Sequence, residues 1–211
     1  MTFSHAWVPL DVLGALTALT VAPFVLVMST SFVRIVVVLS LVRSAIGAAA
    51  LPPNAVLTGL ALVLSAAIMS PAISRISRDA VGPYSKGRIS QSQFLDRAAA
   101  PLREFMLRQA HTADVDLFRR ISHRPAEDPS RAPLTVLIPA FVVGELRDAF
   151  AIGFALYLPF VAIDLAIASI LMGLGMFMLS PSVISLPVKL LLFVMVDGWG
   201  LVCGGVASSF R

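Results

Sequence analysis

Apolar runs long enough to cross a bilayer recur on both sides of a single polar stretch, and this alternation limits the fold more than any other feature of the chain. The first run is Val8 to Met28, interrupted only by Asp11. The second is Phe32 to Leu51 and carries Arg34 and Arg43. Pro52-Pro53-Asn54 then ends one element before another begins, because proline disfavours helix in the residue before it. The third run is Ala55 to Ile73. After the polar stretch come Leu134 to Val143, a charged interruption at Glu145, Arg147 and Asp148, and a long run from Ala149 to Leu179. Ser180-Pro181-Ser182 breaks that run, and Val183 to Val206 closes the pattern, with Pro187 where a first helical turn tolerates it.

Composition fits hydrocarbon rather than water as the solvent. Of 211 residues, 58% are hydrophobic and 13% charged, and the mean hydropathy is +0.90. An ordinary soluble domain carries roughly 25% charged residues. The polar stretch, Arg75 to Arg131, holds eleven of the sixteen Lys and Arg residues and seven of the twelve Asp and Glu residues. Its charges are mixed and it has no Lys/Arg run, so the basic pI of about 10 does not indicate nucleic-acid binding. Gly82-Pro83 reads as a turn and Pro125 to Pro129 as a loop. Between them, Ser90 to Ser122 spaces Phe94, Leu95, Ala98, Leu102, Phe105, Met106, Val115, Leu117 and Phe118 as amphipathic helix.

The expected fold class is therefore an all-α membrane protein, with apolar helical hairpins flanking a small polar helical domain. The expected units are residues 1–74, 75–132 and 133–211. The first apolar segment reads as a retained anchor, since no Lys or Arg precedes Arg34 to supply a signal peptide's positive region. Cys203, the single cysteine, reads as a small buried hydrophobe.

Two features fit simple spans badly. Ala149–Leu179 would be about 46 Å long as a helix, against a hydrocarbon core of roughly 30 Å. Charges also lie within the apolar runs: Asp164, Lys189 and Asp197 late in the chain, Arg34 and Arg43 early. Such groups prefer to be buried against protein or to face a water-filled cavity. Lys189 and Asp197 are about 12 Å apart along a helix, so each needs a partner on another helix or subunit. Asp164 lies 17 residues before Pro181 and Asp197 lies 16 after it, which gives them nearly equal depth in a hairpin. Arg34 and Arg43 are expected to snorkel or to pair with acids on a neighbour. Glu145, Arg147 and Asp148 read as an interfacial polar collar.

Nothing points to catalysis. The chain has no phosphate-binding loop and no nucleophile elbow, and its His5, His111 and His123 are scattered without metal-ligand spacing. No cofactor, metal or nucleic acid is expected. A small-solute transporter, suggested by intramembrane charge and broken helices, would show related halves, and no internal repeat is visible. A purely structural scaffold stays open as an alternative.

Several ordered stretches resemble one family, the FliP/SctR membrane proteins of the flagellar and type III secretion apparatus. They are Thr30-Ser-Phe-Val-Arg-Ile-Val-Val-Val-Leu-Ser-Leu-Val-Arg-Ser-Ala-Ile-Gly47 with Pro52-Pro-Asn54; Pro101-Leu-Arg-Glu-Phe-Met-Leu-Arg108; Leu137-Ile-Pro-Ala-Phe-Val-Val-Gly-Glu-Leu-Arg-Asp-Ala-Phe150 with Ile152-Gly-Phe154; and Pro187-Val-Lys-Leu-Leu-Leu-Phe-Val-Met-Val-Asp-Gly-Trp199. The resemblance implies a homo-oligomer, a pentameric ring that winds with smaller partners of the FliQ/SctS and FliR/SctT type into a helical cone. That cone would admit unfolded export substrates at the bacterial inner membrane, within the basal body. An injectisome subunit of the same family is the alternative, although the closing Ala-Ser-Ser-Phe210 looks more flagellar. The polar middle would lie on the periplasmic side, against the cytoplasmic placement that its Lys/Arg excess alone would give. Its Phe94, Leu102, Phe105 and Phe118 are the expected contacts between copies.

The family's constriction is ringed by methionines, which places the gate at Met176, Phe177 and Met178. The family often has three consecutive methionines there, and Phe177 departs from that. A ring of unbranched, polarizable methionines can seal and still part for a passing chain. In a regular helix Met176 and Met178 point about 200° apart, so both can face one lumen only if the chain leaves the helix there.

Overall fold

The computed structural model describes residues 10–48, 51–123 and 132–210, and every regular element in them is a helix. Helix α1 (Leu10–Met28) turns at Ser29–Ser31 into α2 (Phe32–Ile46). The second apolar run stops being helical earlier than Leu51. Gly47 takes a left-handed conformation (φ 85°) and its N–H bonds back to the Ser44 carbonyl, which closes α2.

Helix α3 (Asn54–Ile68) follows Pro53. The expected continuation to Ile73 is bent. At Met69 the chain turns by 65° into α4 (Ser70–Ile76), whose second residue, Pro71, lacks an N–H for the helical ladder and crowds the carbonyl four residues back. A wide π turn (Ser77–Val81) leads into α5 (Gly82–Ser85). The turn expected at Gly82-Pro83 is thus the first turn of a helix rather than a reversal of the chain, because proline is pre-organised for a first helical turn. The reversal comes at Lys86–Gly87, where Gly87 has φ 65°.

The amphipathic stretch is two helices rather than one. α6 (Gln91–Gln109) opens with a capping box, in which the Ser90 hydroxyl accepts from the Gln93 N–H and the Gln93 side chain accepts from the Ser90 N–H. The chain becomes extended at Ala110 and His111, then restarts as α7 (Thr112–Ile121), with Asp114 in the first turn where the helix dipole favours an acid.

The expected break at Glu145–Asp148 is absent. Leu134 to Gly173 is one helix, α8, of 40 residues, about 60 Å long. Its charges do not interrupt it because each has a partner on another element. The length mismatch noted in the sequence is resolved by shared packing. Val136, Leu137, Ala140 and Phe141 are buried in a core with Phe105, Met106 and Val115 of the polar domain. Only the later part of α8 joins the second core, through Ala149 and Phe160.

That second core is centred on α2, whose Ile35, Val38, Leu39 and Val42 are almost fully buried. It also takes Leu57 and Ala61 of α3, Phe193 of α9 (Pro181–Met195), and Val202 and Val206 of α10 (Gly198–Ser208). Gly153 allows α8 to touch α2, since a Cβ there would collide with Leu41. α9 and α10 meet at 65° around Asp197, which is left-handed (φ 50°), and Gly198 lies so close to the Phe193 ring that no side chain fits. By length and composition, α8 can cross a membrane alone, and the two bent pairs, Asn54–Ile68 with Ser70–Ser85 and α9 with α10, can each form a broken span.

Candidate functional sites: a buried ionic junction and an exposed methionine loop

Arg34 projects from α2 into the middle of the protein and is 2% exposed. Its Nε donates to Glu145 Oε2 at 3.0 Å and its Nη2 to Glu145 Oε1 at 2.6 Å, a two-pronged pair. Nη2 also reaches Asp148 Oδ2 at 2.8 Å. Nη1 donates to the backbone carbonyl and the hydroxyl of Ser209. The Phe210 ring lies 4.3 Å from the guanidinium carbon and also stacks on Phe105. One arginine thus ties together α2, α8, the segment after α10 and, through Phe105, the polar domain. The junction extends outward: His111 Nε2 lies 3.1 Å from Asp148 Oδ1, and Arg147 makes a two-pronged pair with Asp114.

This changes two expectations. Arg34 does not snorkel or wait for a neighbour; its acids are in its own chain. Arg43 donates to the Asn54 side chain and the Pro52 carbonyl. Glu145 is 1% exposed and belongs to the buried junction, so it is not part of a solvated collar; Arg147 and Asp148 are partly exposed. The sequence held a usable signal, since Glu145 and Asp148 are three residues apart and share a helix face that can cradle one cation. Nothing in the sequence pointed to the Ser209 carbonyl, to Phe210, or to His111 and Asp114 as participants.

A second charged group lies in the α8–α9 hairpin. Lys189 is 5% exposed; its Nζ donates to Asp164 Oδ2 at 2.6 Å and to the Ala45 carbonyl at 3.3 Å. The partner of Lys189 is therefore on the adjacent helix, and Asp164 is not left facing Asp197. Asp197 lies at the α9–α10 break, exposed, with its carboxylate folded back against Gly200. Cys203 is only partly buried.

The methionine segment has left the helix. α8 ends in a Schellman motif: Gly175 is left-handed (φ 74°), its N–H bonds the Met172 carbonyl, and the Met176 N–H bonds the Leu171 carbonyl. The helix therefore ends at glycine, several residues before Pro181. Met176 is 43%, Phe177 79% and Met178 100% exposed, in a loop held at both ends by the hairpin. Helical phase no longer separates Met176 from Met178.

The four residues expected to join copies divide. Phe105 is buried against Phe141 and Phe210 within one chain and is not available to a neighbour. Phe118 packs on the edge of the same core. Phe94 packs at a tilt against Tyr84 and, with Leu102, lines an open apolar groove. Leu117 and Ile121 of α7 are exposed instead.

Residues 15–206 match the profile of the FliP family. Curated relatives agree, each carrying the name flagellar biosynthetic protein FliP. One from Pectobacterium carotovorum is 50% identical over 92% of this chain and 76% of its own length. One from Buchnera aphidicola is 46% identical over 99% of this chain, which spans about half (55%) of that longer relative. One from Bacillus subtilis is 43% identical over 92% of this chain and 89% of its own length.

Proposed function

This chain belongs to the FliP family, and on that premise we propose that it is a core subunit of the flagellar type III export gate, helping to form the channel through which unfolded substrates leave the cytoplasm. The observation that carries this reading is the contrast between its inner and outer parts. Inside, the main buried charges, Arg34 with Glu145 and Lys189 with Asp164, are paired within one chain, so the protomer does not need a neighbour to hold them. Outside, the α8–α9 hairpin shows an exposed apolar surface that includes Phe154, Leu165, Leu191 and Val194, and it ends in the bare Met176–Met178 loop. A surface this apolar needs lipid or other subunits to cover it.

In this reading several copies, five by family resemblance, associate in the bacterial inner membrane with smaller partners of the FliQ and FliR type. Leu117 and Ile121 supply part of the contact between polar domains. The methionine loops converge at the centre of the ring as a deformable seal. The buried Arg34 junction holds α8 rigidly against the polar domain, so that loops from neighbouring copies meet at one height. Affinity purification from the native membrane, followed by mass spectrometry, tests this directly. Recovery of a ring of this chain with two smaller membrane proteins, and loss of hook and filament protein from the medium when the gene is deleted, is the expected result. A monomer that purifies alone from cells still exporting normally would contradict it.

A further inference from the structure

An apolar groove of about 580 Å³ lies where the polar domain meets the apolar helices, within the usual range for a ligand cleft of roughly 300–1,000 Å³. Val25 and Leu26 from α1 form one wall, Phe94, Leu95 and Leu102 from α6 the floor, and Ile138 from α8 the far side. Past Ala99 and Leu134, which line both, it adjoins a smaller, mainly apolar depression with Asp96, Arg103 and Glu104 among its lining residues. The charges at this mouth differ in how they are compensated. Glu104 is already held by Arg75 and Arg108, and the Arg75 hydrogen bond and charge keep its carboxyl below the usual carboxylate range. Arg103 donates to the Ala132 carbonyl, a neutral partner, and Asp96 forms no ion pair among the described residues. The mouth therefore offers one uncompensated cation and one uncompensated anion, seven residues apart on the same helix.

We infer that this groove is a phospholipid site that takes one acyl chain of phosphatidylethanolamine, with the phosphate at Arg103 and the ammonium at Asp96. The charge pattern selects this occupant. A zwitterionic headgroup supplies an anion and a cation together, and the uncharged groove behind accepts the hydrocarbon that the same molecule carries. The position agrees, since the groove behind the mouth is closed by Val25 and Leu26 of the apolar helix α1, so hydrocarbon entering it runs from the polar domain onto an apolar helix. A lipid there would cover the exposed Leu95 and stiffen the joint between α1, α6 and α8.

The test is the lipid retained by the intact membrane complex after purification in mild detergent, quantified by headgroup. The wild type should keep about one phosphatidylethanolamine per chain. Arg103→Gln should weaken retention by about tenfold or more, as expected for loss of a charge-assisted contact. Asp96→Asn should shift the retained lipid from phosphatidylethanolamine toward phosphatidylglycerol, because only the ammonium partner is removed. Ala98→Trp, which fills the groove, should abolish retention; because this change can disturb folding, the two surface variants decide the matter where it does. Equal retention of the same lipid in wild type, Arg103→Gln and Asp96→Asn would overturn the inference. So would efficient disulfide cross-linking between copies through Leu95→Cys, which would show a second chain in the groove.

Discussion

At the scale of single residues, the junction at Arg34 sets what substitutions cost. Its guanidinium and the Glu145 carboxylate have both left water, and each is stable only because the other is present. Glu145→Gln should therefore destabilise the protein by about 3–5 kcal/mol, since it leaves a buried charge without its main partner. The double change Arg34→Met with Glu145→Leu should cost less than either single change, because no fully buried charge is stranded; Asp148 also loses Arg34, but it is partly exposed and keeps His111. Thermal unfolding in detergent measures both, and a double mutant worse than the singles would contradict this account. Packing is equally local at Gly153, where an added Cβ would meet Leu41. Gly153→Ala should cost about 1–3 kcal/mol by overpacking, and Leu41→Ala should recover part of it. The contact at Gly153 has no signal in the sequence pattern, and the junction has only the spacing of Glu145 and Asp148 on one helix face. The sequence marks Arg34 as a charge that snorkels or pairs and Glu145 as part of an interfacial collar, and their pairing spans 111 positions and depends on how the helices pack.

At the scale of elements, the apolar runs located the helices well and their ends poorly. Polarity and proline mark the expected ends of the runs. In the structure, ends and bends follow backbone requirements instead: left-handed glycines at Gly47 and Gly175, a proline early in α4, and left-handed Asp197. The charged cluster at Glu145–Asp148 looked like an interruption because its partners were out of sight, and α8 runs straight through it. The same logic frees the methionine loop. Gly175→Val should impose roughly 1–2 kcal/mol of strain, because a Cβ disfavours the left-handed conformation that closes α8. It should also displace the Met176–Met178 loop that we propose as the seal. Replacing Met176 and Met178 together with Ala should leave the ring assembled and raise small-dye leakage through it. An assembled double mutant with unchanged leakage would return these residues to ordinary surface.

At the scale of the whole molecule, all-helical membrane architecture was legible from composition and run length alone. The share of α8 in the polar domain was not, because a periodic pattern does not tell which core a face enters. This matters for assembly. Phe105→Asp should prevent folding outright, since it puts a charge into the core beside Phe141. Ile121→Asp, on an exposed face, should leave the protomer folded and weaken the ring. Native gels with circular dichroism separate the two outcomes. The central claim, that exported chains pass the methionine loop, is tested most directly by stalling an export substrate in living cells with a photo-crosslinking amino acid at position 177. The account predicts a covalent adduct between Phe177's position and the stalled substrate, and none from Tyr84's position on the polar domain. Assembled complexes with a stalled substrate but no adduct at 177 would contradict it.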